Sequence, residues 1–397
     1  MKETSEIEER LKRWRIVLGG AARDGTGVTL DGLDAEIDAA LSTLYDADEK
    51  SKRGGFGASA PRVARWLGDV RKYFPTSVVK LLQKDAIERL DLKHLLKQPE
   101  LLKAVEPDIH LVANILALKS AMPAATLETA RGVVRTVVEA IEARLADRVK
   151  QAVLGALDRS TRNRRPRYSE IDWNRTIRAN LKHYQPSYRT IVPEIRLGSG
   201  RTRRSMRDIV LCVDQSGSMA NSVVYAGIMG AVLASLPAVS TRVVVFDTSV
   251  VDLTDEMSDP VELLFGVQLG GGTDIARALT YCEGVIARPA ETILILISDL
   301  FEGGERLKMF EIAARLVSAG VQMICLLSLA DDGAPCHDHA AASAFASLGI
   351  PVFACTPDLF PEMLAAAIAR DDVSRWASDR EITTARADVD RFDLPIE

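Results

Sequence analysis

The chain has 397 residues, 47% hydrophobic and 26% charged, with a net charge of −5. This composition excludes a collagenous, disulfide-stapled or wholly disordered chain and gives room for two or three globular domains. The N-terminal stretch is charged and lacks the apolar core of a signal peptide, and no uninterrupted apolar run approaches the ~18 residues of a membrane span, so a cytoplasmic protein without a membrane partner is expected.

Residues 1–158 read as helical. Val79, Leu82, Ala86 and Leu90 recur at three- and four-residue steps. Ser51–Ala60, rich in Gly and Ser, reads as a loop. Val134, Val138, Ile141, Leu145, Val149, Val153 and Leu157 form one apolar stripe along a long helix that starts after Pro123. Trp14, Trp66 and Trp173 are expected to anchor the core or the adjoining arm.

Residues 159–207 change character. From 159 to 208 there are fourteen Lys and Arg against four Asp and Glu, which leaves the rest of the chain strongly acidic. Weak apolar periodicity suggests a linker or an arm packed across a neighbour. Its charge suggests an interdomain contact or an acidic partner.

From Asp208 strands alternate with helices. The runs Ile209–Val213, Val243–Phe246, Ile293–Ile297, Val321–Leu329 and Pro351–Ala354 are continuously apolar, as in a parallel sheet covered on both faces. Helices are expected at about 220–236, 274–288, 304–319, 338–348 and 359–370. The expected fold is thus an α/β doubly wound (Rossmann-like) domain at 208–371, preceded by an all-α domain. The tail, 372–397, is polar and acidic around Trp376 and is open to two readings, disorder or docking back. Five cysteines at wide spacings fit a reducing compartment, and Cys212, Cys325 and Cys355 fall within strand runs.

Three short pieces lie where open α/β sheets bind ligands, past the carboxyl ends of strands. They are Asp214-Gln215-Ser216-Gly217-Ser218-Met219, Gly270-Gly271-Gly272-Thr273-Asp274, and Ser298-Asp299. Asp214, Ser216 and Ser218 alternate across a tight turn that Gly217 is expected to permit. Thr273 adds a hydroxyl and Asp299 a second carboxylate. A donor set made only of oxygen suits Mg²⁺ or Mn²⁺, with Ca²⁺ as a further hard cation. Asp214–Ser218 would equally suit a helix N-cap.

Together the three pieces resemble the metal-ion-dependent adhesion site of von Willebrand factor type A (VWA) domains, at Asp214, Ser216, Ser218, Thr273 and Asp299. The resemblance covers about 208–371. It implies that Asp214, Ser216 and Ser218 ligate the metal directly, with Thr273 direct or through water and Asp299 mostly through water. A partner's Asp or Glu would complete the shell. Trp173 through Leu181 (Trp-Asn-Arg-Thr-Ile-Arg-Ala-Asn-Leu), followed by a basic stretch and then Asp214–Met219, is similar to CoxE-like bacterial VWA proteins. That likeness implies a non-enzymatic adaptor working beside a MoxR-type AAA+ ATPase in protein assembly or metal-centre maturation.

Other chemistries fit less well. Gly270–Gly272 lacks the Gly-Lys-[Ser/Thr] ending of a nucleotide loop. Cys336-His337-Asp338-His339 invites Zn²⁺, but adjacent residues cannot all converge on one tetrahedral ion, and a polar loop entering a helix is expected there. Ser216 lies outside a Gly-x-Ser-x-Gly elbow, which argues against a serine hydrolase. The basic arm, with Tyr168, Trp173, Tyr184 and Tyr188 among its arginines, and the helical-then-VWA layout also resemble Ro-type RNA-binding proteins, which makes nucleic acid the alternative partner.

Overall fold

A computed structural model describes residues 2–18, 28–45, 60–89, 92–160, 162–163, 168, 171, 173–191, 193–194, 196, 198–199, 207–330 and 336–387. Residues 51–59 of the expected Ser51–Ala60 loop, Leu90, Arg164, Arg165, Arg167, the 201–204 basic run and the last ten residues lie outside them. The chain forms two compact units, Met1–Val137 and Val138–Glu397.

The first unit is helical, as its periodicity predicts: α1 (Lys2–Leu18), α2 (Gly32–Tyr45), α3 (Ala60–Tyr73), α4 (Thr76–Arg89), α5 (Pro99–Ala104), α6 (Ile109–Leu118) and the first turns of α7 (Ala124–Ser160). Pro99 opens α5, where a missing N–H costs nothing. Asp108 caps α6 by accepting from the Leu111 N–H at 2.7 Å. Val79, Leu82 and Ala86 are buried together with Val70, Leu111 and Ile115. Trp66 is a core residue whose indole donates to the Ala40 carbonyl at 2.9 Å. Trp14 departs from expectation: it is 52% exposed.

In the second unit α7 continues the stripe, with Val138, Leu145, Val149 and Val153 fully buried. The arm closes on itself. Arg162–Asn163 (β1) pairs antiparallel with Gly198–Ser199 (β4), and Tyr184–Gln185 (β2) with Thr190–Ile191 (β3). Between them lies α8 (Trp173–Ala179).

The rest is a six-stranded sheet in the order β10-β9-β8-β5-β6-β7, formed by β5 (Arg207–Asp214), β6 (Val239–Phe246), β7 (Val250–Asp252), β8 (Thr292–Ile297), β9 (Gln322–Leu329) and β10 (Val352–Cys355). All neighbours are parallel except β6 and β7. The five expected strands are present. The short antiparallel edge β7 was not legible, since a three-residue edge strand has too little apolar pattern to register.

Helices α9 (Ala220–Ala234), α10 (Pro260–Gly266), α11 (Ile275–Val285), α12 (Arg306–Ser318), α13 (His339–Ser347), α14 (Phe360–Ala369) and α15 (Val373–Ser378) complete the layers. Alternate strand residues serve the two faces. Val210, Cys212, Leu294, Leu296 and Cys325 pack with Leu279, Ile312 and Phe345 in one core. Helix α9 lies against β5, β6 and β9 and is buried almost all round. By length and composition Gly217–Ala234 is the one stretch among the described residues that could cross a membrane, and 72% of it is buried, as in a core helix.

The tail docks. Trp376 packs on Phe353 at 6.1 Å between ring centroids, and the Ala385 N–H donates to the Val352 carbonyl at 2.9 Å, covering the outer edge of β10.

Candidate metal centre

Strand β5 has β6 on one side and β8 on the other, so the strand order reverses at its carboxyl end and opens a crevice there. Asp214 is the last residue of β5, and Ser298-Asp299 follow β8 directly. The parallel register that aligns Val213 with Ile297 brings the two carboxylates to one end of the sheet.

Hydrogen bonds then fix them. One Asp214 oxygen accepts from the Ser216 N–H at 2.8 Å, and the other accepts from the Ser298 hydroxyl at 2.8 Å. Ser218 Oγ donates to Asp299 Oδ2 at 2.6 Å, and the Ser216 and Ser218 hydroxyls lie 3.2 Å apart. Asp214, Ser298 and Asp299 are buried, Ser216 and Thr273 are half-buried, and Ser218 is exposed. Two buried carboxylates, two hydroxyls and an opening to solvent are therefore joined in one chain of hydrogen bonds. Neither serine hydroxyl caps a helix, so the simple capping alternative does not describe this turn.

Thr273 reaches the same end by its backbone. Its carbonyl accepts from the Gly303 N–H at 2.8 Å, an approach so close that a Cβ at position 303 would stand 2.9 Å from that oxygen. The Gly270–Gly272 turn is held against β5 by Gly270 N–H donating to the Gln215 carbonyl at 3.0 Å. Gly270 and Gly271 have φ of +109° and +108°, which an L side chain rarely adopts. Gly217 does not play the role expected of it. It has ordinary φ and open space around its Cα, because the Asp214 carboxylate and the Ser216 N–H make the turn.

Burial pushes the Asp214 carboxyl above its usual range, and the neighbouring Asp299 adds to the rise, against hydrogen bonds that lower it. Among the described residues no Lys or Arg pairs with either carboxylate. Two carboxylates and nearby hydroxyls with no basic partner among the described residues are a set of hard oxygen donors of the kind that a divalent cation such as Mg²⁺ takes. Asp214, Ser216, Ser218, Thr273 and Asp299 are the residues that could hold it.

Four residues have supporting roles that the sequence reading did not assign, two of them, Gln215 and Ser298, within the pieces it named. Ser298 orients Asp214 and accepts the Leu300 N–H at 3.1 Å. That bond steadies Leu300 at φ +65°, a left-handed conformation costing ~1–2 kcal/mol for a non-glycine residue. Gln215 accepts the Gln268 N–H at 3.0 Å through its side chain. Asp247, just past β6, accepts from Ser249 and offers its carbonyl to the Asp274 N–H at 2.8 Å. Glu302 accepts the Ile275 N–H at 2.7 Å at the start of α11. The signal that found Asp299, an acid directly after an apolar strand, applies equally to Asp247.

The rival cluster at Cys336–His339 is a polar loop entering α13. Asp338 caps that helix and pairs with Arg306 at 2.7 Å, and among the described residues no group of three His, Cys, Asp or Glu could hold a metal. Cys212, Cys282, Cys325 and Cys355 are buried free thiols, and burial pushes Cys355 up to about 12.

Residues 145–364 match the family model described as VWA domain containing CoxE-like protein. The chain is 38% identical over 377 residues to the uncharacterized protein YehP of Escherichia coli (strain K12), covering 92% of this chain and 99% of that one. Among solved structures it is similar to the conserved hypothetical protein BatB of Bacteroides thetaiotaomicron (TM-score 0.32, 15% identity, 41% of this chain and 98% of that chain). It is also similar to a von Willebrand factor type A structure from Catenulispora acidiphila (TM-score 0.31, 13% identity, 44% and 43%). These structural likenesses are distant, whereas the family match spans more than half of the sequence and the Escherichia coli relative nearly all of it. The chain belongs to the family of VWA domain containing CoxE-like proteins.

Proposed function

We propose that this chain is a non-catalytic, cytoplasmic adaptor that captures an Asp or Glu of a protein partner through a Mg²⁺-type cation at the strand-end site. The supporting observation is the pairing of two buried carboxylates, Asp214 and Asp299, through Ser216 and Ser218, with no Lys or Arg among the described residues to offset them. Asp214, Ser216 and Ser218 serve as direct ligands. Thr273 and Asp299 complete the protein's share, directly or through water. A cation held by so few strong ligands supplies a positive charge that a partner's carboxylate can reach from the open side, where Ser218 is exposed.

Family membership extends the proposal to a MoxR-type AAA+ ATPase as the companion in protein assembly or metal-centre maturation. Calorimetry with Mg²⁺ on the wild-type protein and on Asp214→Ala tests the site. Micromolar-to-millimolar binding that Asp214→Ala removes is the expected result, and equal affinity in the two proteins rejects it. Co-purification with the ATPase, with and without EDTA, tests the partner, and recovery that EDTA leaves unchanged rejects capture through the metal.

A further inference from the structure

Helix α8 is turned inside out. It carries the stretch from Trp173 to Leu181 that the metal site leaves unexplained. On an ordinary surface helix the apolar face is covered and the polar face meets water. Here the polar residues Thr176 and Asn180 are each 1% exposed, whereas Trp173, Ile177 and Leu181 are 43%, 42% and 59% exposed. Internal hydrogen bonding accounts for the buried side: Asn180 Nδ2 donates to the Thr176 carbonyl at 2.7 Å, and Asn180 Oδ1 accepts from the Glu194 N–H at 3.0 Å. Those bonds tie the end of the helix to the bend at Glu194 and so hold the apolar side outward. Trp173, Ile177 and Leu181 stand four residues apart, one row along α8 and the short turn after it.

The row does not stand alone. Tyr168, Tyr184 and Tyr188 are also exposed, and Tyr168 packs edge-on against Trp173 at 5.6 Å. Exposed large apolar side chains set in a row are the kind of surface that interaction sites use. Basic residues flank the row in sequence: Arg178 and Lys182 follow Ile177 and Leu181 directly and are exposed, as are Arg189 and Arg196 further along the arm, while the exposed acid Glu194 is paired with His183 at 3.1 Å.

We infer that this face docks an acidic amphipathic helix of a partner protein, with the apolar side of that helix on Trp173, Ile177 and Leu181 and its carboxylates facing Arg178 and Lys182. Two features select a protein over other anionic partners. Apolar residues at four-residue steps match the seam of a helix laid along another helix. Bases stack on aromatic faces, whereas two of the three residues of the row, Ile177 and Leu181, are aliphatic and offer none; the exposed tyrosines beside the row make RNA the competing outcome of the test. The docking face uses none of the metal-site residues, so it stands or falls independently of metal capture.

Fluorescence anisotropy on the full chain tests it. The probe is a labelled synthetic helical peptide with leucines at three- and four-residue steps and glutamates on its other faces. The wild-type protein is expected to bind it, more weakly as salt rises and equally with EDTA present. Ile177→Asp/Leu181→Asp is expected to bind about tenfold more weakly or worse with an unchanged melting temperature, as for anchor residues of an interface. Arg178→Glu/Lys182→Glu, which keeps the apolar row, is expected to weaken binding and remove its salt dependence. Absence of wild-type binding, or equal binding by the Asp variant, overturns the proposal. So does tighter binding of polyuridylate RNA or of phosphatidylserine vesicles that the same Asp variant abolishes.

Discussion

The second unit presents two surfaces built on opposite principles. At the strand-end crevice, polar groups that ought to be in water are buried and locked in place by hydrogen bonds from Ser298, Ser216 and Ser218. On the arm, apolar groups that ought to be buried are held outward by hydrogen bonds from Asn180. Under the two proposals each surface takes a different ligand, a cation in the crevice and an apolar helix face on the arm. Misplaced side chains thus carry more functional information than well-placed ones, because a folded chain tolerates them only where neighbouring contacts compensate.

If the contrast is right, substitutions should separate the two surfaces cleanly. The largest effect is expected at Asp214→Asn. Wild-type protein should gain about 2.7 kcal/mol of stability when Mg²⁺ is raised to one hundred times its Kd, by mass action on the folded state. The variant should gain nothing. In EDTA it should be no less stable than wild type, since a buried carboxylate without a cation is costly to keep charged. Thermal melts with and without Mg²⁺ check both statements, and a variant that still responds to Mg²⁺ breaks the assignment.

Next is Ser298→Ala, which keeps every proposed ligand and removes the hydroxyl that orients Asp214 and accepts the Leu300 N–H. Loss of such a supporting hydrogen bond should weaken Mg²⁺ about 10–100-fold by calorimetry. Smaller still is the effect of Ile177→Asp/Leu181→Asp on the metal site. Stability should stay within about 0.5 kcal/mol of wild type, as for exposed positions, and Mg²⁺ affinity should not change. A shift in that affinity would mean that the two surfaces communicate. The smallest effect is expected at Gly217→Ala, because the turn has ordinary φ and room for a methyl group. A change of more than about 0.5 kcal/mol in urea unfolding would return to Gly217 the role it seemed to have in the sequence.

The parts legible in sequence were those with strong local patterns. Continuous apolar runs marked β5, β6, β8, β9 and β10, since strands covered on both faces have no polar side to show. Helix α7 was legible because its stripe repeats over many turns. Asp214, Ser216, Ser218 and Asp299 were read as donors at or just past the ends of the apolar strands β5 and β8, where the structure has them, whereas the Gly270–Asp274 piece with Thr273 follows helix α10 and opens α11 and so is not at the strand end expected for it. The helix α10 and the edge strand β7 were too short to impose a period.

Sequence by itself determined the doubly wound architecture and the chemistry available at its crevice, because periodicity dictates which faces are buried and residue type dictates which atoms can ligate. Only the tertiary structure decided that Ser298 supports Asp214, that the tail covers β10, and that α8 faces outward. Those outcomes depend on contacts between residues distant in the chain, such as Asn180 with Glu194 and Ser218 with Asp299. Local pattern cannot state them: the row of Trp173, Ile177 and Leu181 is the same in sequence whether a neighbour covers it or leaves it for a partner.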